Sequence, residues 1–163
     1  MLKKRFVFAL VALLLSGGVL GLNALIKSDS AGVAAAEALT PEPADVVESF
    51  YGWYLDNAGY DAESGTMRNP LADGSYALRE ELSPALVEEV DALLASFHEG
   101  GAGYDPFLCA QDIPAEFAVS TFSISESAAE VRVETSFVGH SFQVMLEKIG
   151  GEWTITAVRC SFE

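Results

Sequence analysis

The hydrophobic pattern of this chain changes period once, and that change limits the fold more than any other feature. Up to residue 98 the apolar side chains recur every three or four positions. From residue 117 onward they recur every second position. The first spacing lines one face of a helix and the second lines one face of a strand. Helices followed by strands predict an α+β domain, with the helices packed on one face of an antiparallel sheet.

Thr40-Pro41 reads as a helix start, with Thr as cap and Pro in the first turn. Val47, Phe50, Tyr51, Tyr54 and Leu55 then form an apolar stripe, with Asp45, Glu48, Ser49 and Asp56 opposite, so a helix is predicted over 41–57. Residues 58–75 carry several Gly and Asx punctuators and read as a loop, with room for a helical turn near 71–79. Ser83-Pro84 opens a second long helix to about His98, with Leu86, Val87, Val90, Leu93, Leu94 and Phe97 as its inner face. Four strands are expected next: 117–125; a run in which Ala129, Val131 and Val133 alternate with Glu130, Arg132 and Glu134; a run through Phe142, Val144 and Leu146; and one in which Trp153, Ile155 and Ala157 point inward. Gly150-Gly151 is a hairpin signal between the last two.

Ahead of this domain, Lys3, Lys4 and Arg5 precede an uncharged apolar stretch over residues 6–26. As a helix, about 21 residues reach ~31 Å, the thickness of a bilayer's hydrocarbon core. Positive charge stays inside, so the rest of the chain is expected outside the cytoplasm. Two readings of the stretch stand open. It is a single-pass anchor with its N-terminus inside, or a signal removed near Ala36, where Ala34-Ala35-Ala36 offers a cleavage site and the product is secreted. The expected organisation is therefore an anchor or signal over 1–26, a small polar linker over 27–39, and one extracytoplasmic domain over 40–163.

Composition narrows the partners. The formal charge is −15, and about −18 without residues 1–36, with Arg68, Arg79, Arg132, Lys148 and Arg159 as the remaining cations. Such a domain repels polyanions, which argues against nucleic acid. Cys109 and Cys160 are the whole thiol inventory. An even count outside the cytoplasm predicts a disulfide. Their spacing fits no metal motif, and no cofactor is implied.

Three stretches carry a resemblance. The first helix has Phe50-Tyr51-x-Trp53-Tyr54-Leu55, the later helix opens on Leu82-Ser83-Pro84, and Asp105-Pro106-Phe107 is followed by Ala110-Gln111-Asp112. Together with the closing Gly151-Glu152-Trp153-x-Ile155 they resemble the bacterial domain-of-unknown-function family numbered 3828, over about residues 44–160. The resemblance implies a small exported protein with a cone-shaped α+β fold like that of nuclear transport factor two. It implies no catalytic set. The chain departs from the family in having no lipid-anchor Cys after its apolar segment.

Each candidate site residue has a chemical and a structural reading. Asp105, Gln111 and Asp112 place two carboxylates and an amide where they can line a pocket mouth, or can satisfy backbone groups in a turn. Arg68 and Arg79 can clamp a ligand carboxylate, or can pair with Asp61, Glu63, Glu80 or Glu81. Tyr51 and Tyr54, with Trp53, can form an aromatic cage or plain core. His98 ends a helix, and His140 sits at a turn sequence, Gly139-His140, where solvation is expected. The resulting expectation is a non-catalytic extracytoplasmic domain that binds a small apolar ligand or a protein partner. The alternatives are an isomerase- or dehydratase-type enzyme using the cone, and an inhibitor- or immunity-type protein using its outer surface.

Overall fold

Both periods produce the element they predict. The computed structural model describes residues 40–98 and 103–161. The expected membrane segment at 6–26, the linker at 27–39 and the cleavage position at Ala36 lie outside the described residues, as does the side chain of His98. Among the described residues no helix is long and apolar enough to cross a membrane.

Helix α1 (Pro43–Asp56) starts two residues later than Thr40-Pro41 suggests. Glu42 precedes a second proline, and a residue before proline is held out of the helical region, here at φ −72° and ψ 158°. Pro43 therefore sets the start. The Asp45 carboxylate accepts the Glu42 N–H at 3.1 Å, which satisfies one free donor at the helix entry. Val46, Val47, Phe50, Tyr51 and Tyr54 are buried along one face.

The region expected as a loop at 58–75 is built more tightly. It forms a hairpin of β1 (Gly59–Asp61) and β2 (Thr66–Arg68), then a short helix α2 (Pro70–Asp73) and a 3₁₀ turn, Ser75–Leu78. The residues that punctuate the sequence make these elements. The Asp61 carboxylate accepts the Glu63 N–H at 3.0 Å inside the hairpin, and Asn69 accepts the Leu71 N–H at 2.9 Å to open α2. Gly74, at φ +74°, closes α2 in a conformation that costs any other residue.

Helix α3 (Pro84–His98) follows, its first turn capped by Ser83, whose Oγ accepts the Leu86 N–H at 3.2 Å. Leu86 and Val90 are buried, while Val87 and Leu94 pack at the margin of the core. Four strands complete the domain: β3 (Phe117–Ile124), β4 (Ala128–Thr135), β5 (Ser141–Ile149) and β6 (Glu152–Cys160). They pair antiparallel in sequence order. The architecture is α+β, with α1 lying across β3, β4 and β6, and α3 against β6. Val131, Val133, Phe142, Val144, Leu146 and Ile155 supply the sheet's share of the core.

One strand departs from its expected alternation. Leu146 faces Ile155, but Met145 faces Ala157, so Thr156 is an extra residue in β6. A bulge shifts the phase by one and flips every later side chain. Ala157, expected inside, is on the outer face, and Val158 and Cys160 turn to the core side. Unbroken alternation from Trp153 would aim Cys160 away from the core. The bulge instead sets it beside Phe142 and opposite Cys109, and the two cysteines form a disulfide with Cα atoms 5.3 Å apart. A one-residue insertion between Val158 and Arg159 turns Cys160 to the outer face and is expected to abolish the bridge. Alkylation of protein purified without reductant, read by intact mass, will then add two labels where the wild type takes none.

Candidate functional site

The densest chemistry lies where α1 meets the segment 104–110. Phe50, Tyr51 and Tyr54 project from α1 onto Phe107, with ring centroids of Phe50 and Tyr54 at 5.2 and 5.5 Å from that of Phe107. Tyr76, from the 3₁₀ turn, packs on Phe107 from another direction at 5.5 Å. These rings bring three hydroxyls into the core, and each needs an acceptor. Tyr51 Oη donates to the Phe107 carbonyl at 2.8 Å, Tyr54 Oη donates to Asp105 Oδ2 at 2.6 Å, and Tyr76 Oη donates to Asp91 on α3. Burial is the main force raising all three phenol pKa values, and nearby carboxylates add to it, so none of the three ionises in ordinary conditions.

Asp105 organises the segment. Its Oδ1 accepts the N–H groups of Phe107 at 2.9 Å and Leu108 at 3.0 Å, and its backbone bonds both ways across the loop, with the Cys109 N–H and the Ala110 carbonyl, each at 2.8 Å. The loop closes so tightly that Cys109 takes φ +53°, a left-handed conformation unusual for a residue with a side chain. Burial pushes the Asp105 carboxyl above its usual range, opposed by the bonds from Tyr54, Leu108 and Phe107.

His140 corrects an expectation. It is half-buried, not a solvated turn residue, and it props the same loop. Nε2 lies 3.1 Å from the Cys109 carbonyl and Nδ1 2.9 Å from Thr135 Oγ1. A carbonyl only accepts, so Nε2 carries the hydrogen and donates. The ring also contacts Phe137 and Phe142. Nothing in the sequence signals this role, because the histidine and its acceptor are 31 residues apart and meet only through the sheet's path.

The candidate residues do not converge on one site. Tyr51 and Tyr54 are inside the core. Arg68 pairs with Asp61 at 3.1 Å across the small hairpin. Arg79 forms a two-pronged pair with Glu81, Nε to Oε2 at 3.1 Å, and lies over the Trp53 ring, 4.6 Å from its centroid. Asp105, Gln111 and Asp112 do come together. They border an open groove of about 420 Å³ between their loop and the residues Met67, Asn69 and Leu71. Gln111 donates weakly to the Gly103 carbonyl at 3.4 Å. A second groove of about 500 Å³, bordered by Arg79, Glu80, Glu81, Glu152 and Trp153, is separate from the first. Among the described residues no group of three His, Cys, Asp or Glu side chains is placed to hold a metal.

No protein-family model matches the chain, and no curated protein matches it. Among solved structures, the chain is similar to one from the type VI native effector–immunity complex Tae3–Tai3 of Ralstonia pickettii, with a TM-score of 0.52 and 21% identity over 72% of this chain and 94% of that one. At that identity the likeness speaks for the fold: an α+β domain with helices over a four-stranded antiparallel sheet.

Proposed function

We propose that this is a non-catalytic, extracytoplasmic interaction domain whose ligand is a protein, bound on the outer surface. One observation carries the reading. The interior, where a cone-shaped fold would admit a small molecule, is filled by Phe50, Tyr51, Tyr54, Tyr76, Phe107 and Phe142, each at most 2% exposed, with every tyrosine hydroxyl already bonded. The two groups best suited to proton transfer, Asp105 and His140, are spent on the loop that carries Cys109. The disulfide is in keeping with an oxidising compartment. The formal charge of about −18 outside the leader favours a basic partner, since complementary fields speed encounter and select against acidic ones. The likeness to a protein solved within an effector–immunity complex agrees, at the level of fold, with an immunity-type role for this surface.

Native mass spectrometry of the protein taken gently from its own source tests the reading. The expected result is a stoichiometric polypeptide companion of net positive charge, released by raising the salt concentration. A stoichiometric small-molecule passenger, retained when salt is raised, would overturn it. The groove beside Gln111 and Asp112 is the place such a molecule would be sought.

A further inference from the structure

The two edges of the sheet are treated differently. Along β6 the edge is occupied: Ser83 N–H donates to the Ile155 carbonyl at 2.9 Å, and Ile155 N–H donates to the Glu81 carbonyl at 2.7 Å, in a short parallel bridge with Leu82. Along β3, the other end of the sheet, no hydrogen bond among the described residues reaches the outward backbone. Sheet edges of this kind usually carry Lys or Pro to repel further strands. Here residues 117–125 contain neither, and no charge at all, in a domain otherwise dense in carboxylates. Phe122 and Ile124 stand 66% and 55% exposed on it. Its one protective device is a bulge between Thr121 and Ser123, which interrupts regular pairing at Phe122.

We propose, building on the protein-binding reading, that the β3 edge accepts an extended strand from the partner, uncharged in its middle and bearing Lys or Arg at both ends. The ends follow from charge. Glu116 stands just before β3 and Glu126 in the bend that follows it, one at each end of the uncharged run. A strand with a cation at each end meets a carboxylate at each end. A second copy of this chain is a poor occupant: antiparallel pairing of two β3 edges sets Glu116 of one beside Glu126 of the other, at both ends. Side-chain anchorage is available as well. The outer face beside the edge has a mostly polar hollow of about 610 Å³, bordered by Arg132, Gln143, Phe122 and Val138, with room for side chains of the incoming strand. Backbone pairing supplies affinity and such a hollow supplies selectivity.

The test uses the full-length protein and two synthetic eleven-residue peptides of alternating Thr and Val. One ends in Lys at both termini and the other in Glu. Both are N-methylated at alternate residues so that only one edge can pair. Hydrogen exchange by mass spectrometry is expected to slow in residues 117–124 with the Lys-ended peptide, and the Glu-ended one to bind at least tenfold more weakly at low salt. A Phe122→Lys, Ile124→Lys variant, altered only at exposed positions, should keep its melting temperature and lose the protection. Three outcomes overturn the proposal: no slowing at 117–124, equal binding of the two peptides, or protection that rises with protein concentration without peptide, which identifies a second copy as the occupant. Protection by the Lys-ended peptide at another surface removes the β3 edge while leaving a basic protein partner standing.

Discussion

Replacing Asp105 with Ala lowers the stability of this domain by about 3 kcal/mol, measured by urea unfolding at pH 7. The side chain is the common acceptor for three donors, the N–H groups of Phe107 and Leu108 and the Tyr54 hydroxyl. Each buried donor left without a partner costs roughly 1–3 kcal/mol, and the loss is partly offset by no longer holding a carboxylate among aromatic rings. Asp105→Asn separates these effects. Its Oδ1 still accepts from both backbone groups, so the expected cost is about 1 kcal/mol. Equal losses for Ala and Asn, or a loss under 1 kcal/mol for Ala, would show that the loop is held by something else.

The same pair has a pH signature. Burial raises the Asp105 carboxyl above the usual aspartate value, so the folded chain binds that proton more tightly than the unfolded chain does. Between the two values stability falls as pH rises. The contribution of this group is therefore fully present below the unfolded value and is lost as pH rises through the folded one. Glu81, whose carboxyl is lowered chiefly by its bond from Arg79 against the opposing effect of burial, has the reverse slope. It contributes above the unfolded value and loses that contribution as pH falls. Wild type minus Asp105→Asn cancels Glu81 and isolates Asp105, and that difference is expected to decline with rising pH across the acidic range.

The elements were legible in the sequence wherever a local rule decided them. The stripe through Val47, Phe50, Tyr51 and Tyr54 is buried as its spacing requires, and the Glu130–Glu134 alternation faces outward from Val131 and Val133. What failed locally failed for identifiable reasons. Pro43 overrode the earlier Thr40-Pro41 signal because its constraint acts on the residue before it. The phase of β6 changed at Thr156, and a bulge leaves no mark in an alternation read from one strand alone, since it is defined by the partner. The candidate site was less legible still. Asp105, Gln111 and Asp112 are close in sequence and do share a groove, whereas Arg68 and Arg79 each found a nearby carboxylate first. In a chain this acidic, every arginine has several acids within reach, so sequence spacing cannot assign its partner.

Removing the disulfide is the second large effect. Replacing Cys160 with Ser frees a loop of 51 residues, for which the chain-entropy model gives a loss of about 4 kcal/mol. Cys109→Ser should cost about the same, and the double replacement no more than either single one, because one bridge can be lost only once. Cys109 adds a term that Cys160 lacks. Its φ of +53° disfavours any residue with a Cβ, and that cost remains when the bridge is gone. The combination Cys109→Gly, Cys160→Ser should therefore be more stable than Cys109→Ser, Cys160→Ser by about 1 kcal/mol. The gain identifies the left-handed residue as held in place by the fold around it: by Asp105, which closes the loop, and by His140, which donates to the Cys109 carbonyl. If glycine instead lowers stability, the loop has relaxed out of the left-handed conformation once the sulfur is released, and the bridge itself imposes the strain. The two outcomes are read from the same pair of unfolding curves, and they decide whether segment 104–110 keeps its shape without the bridge.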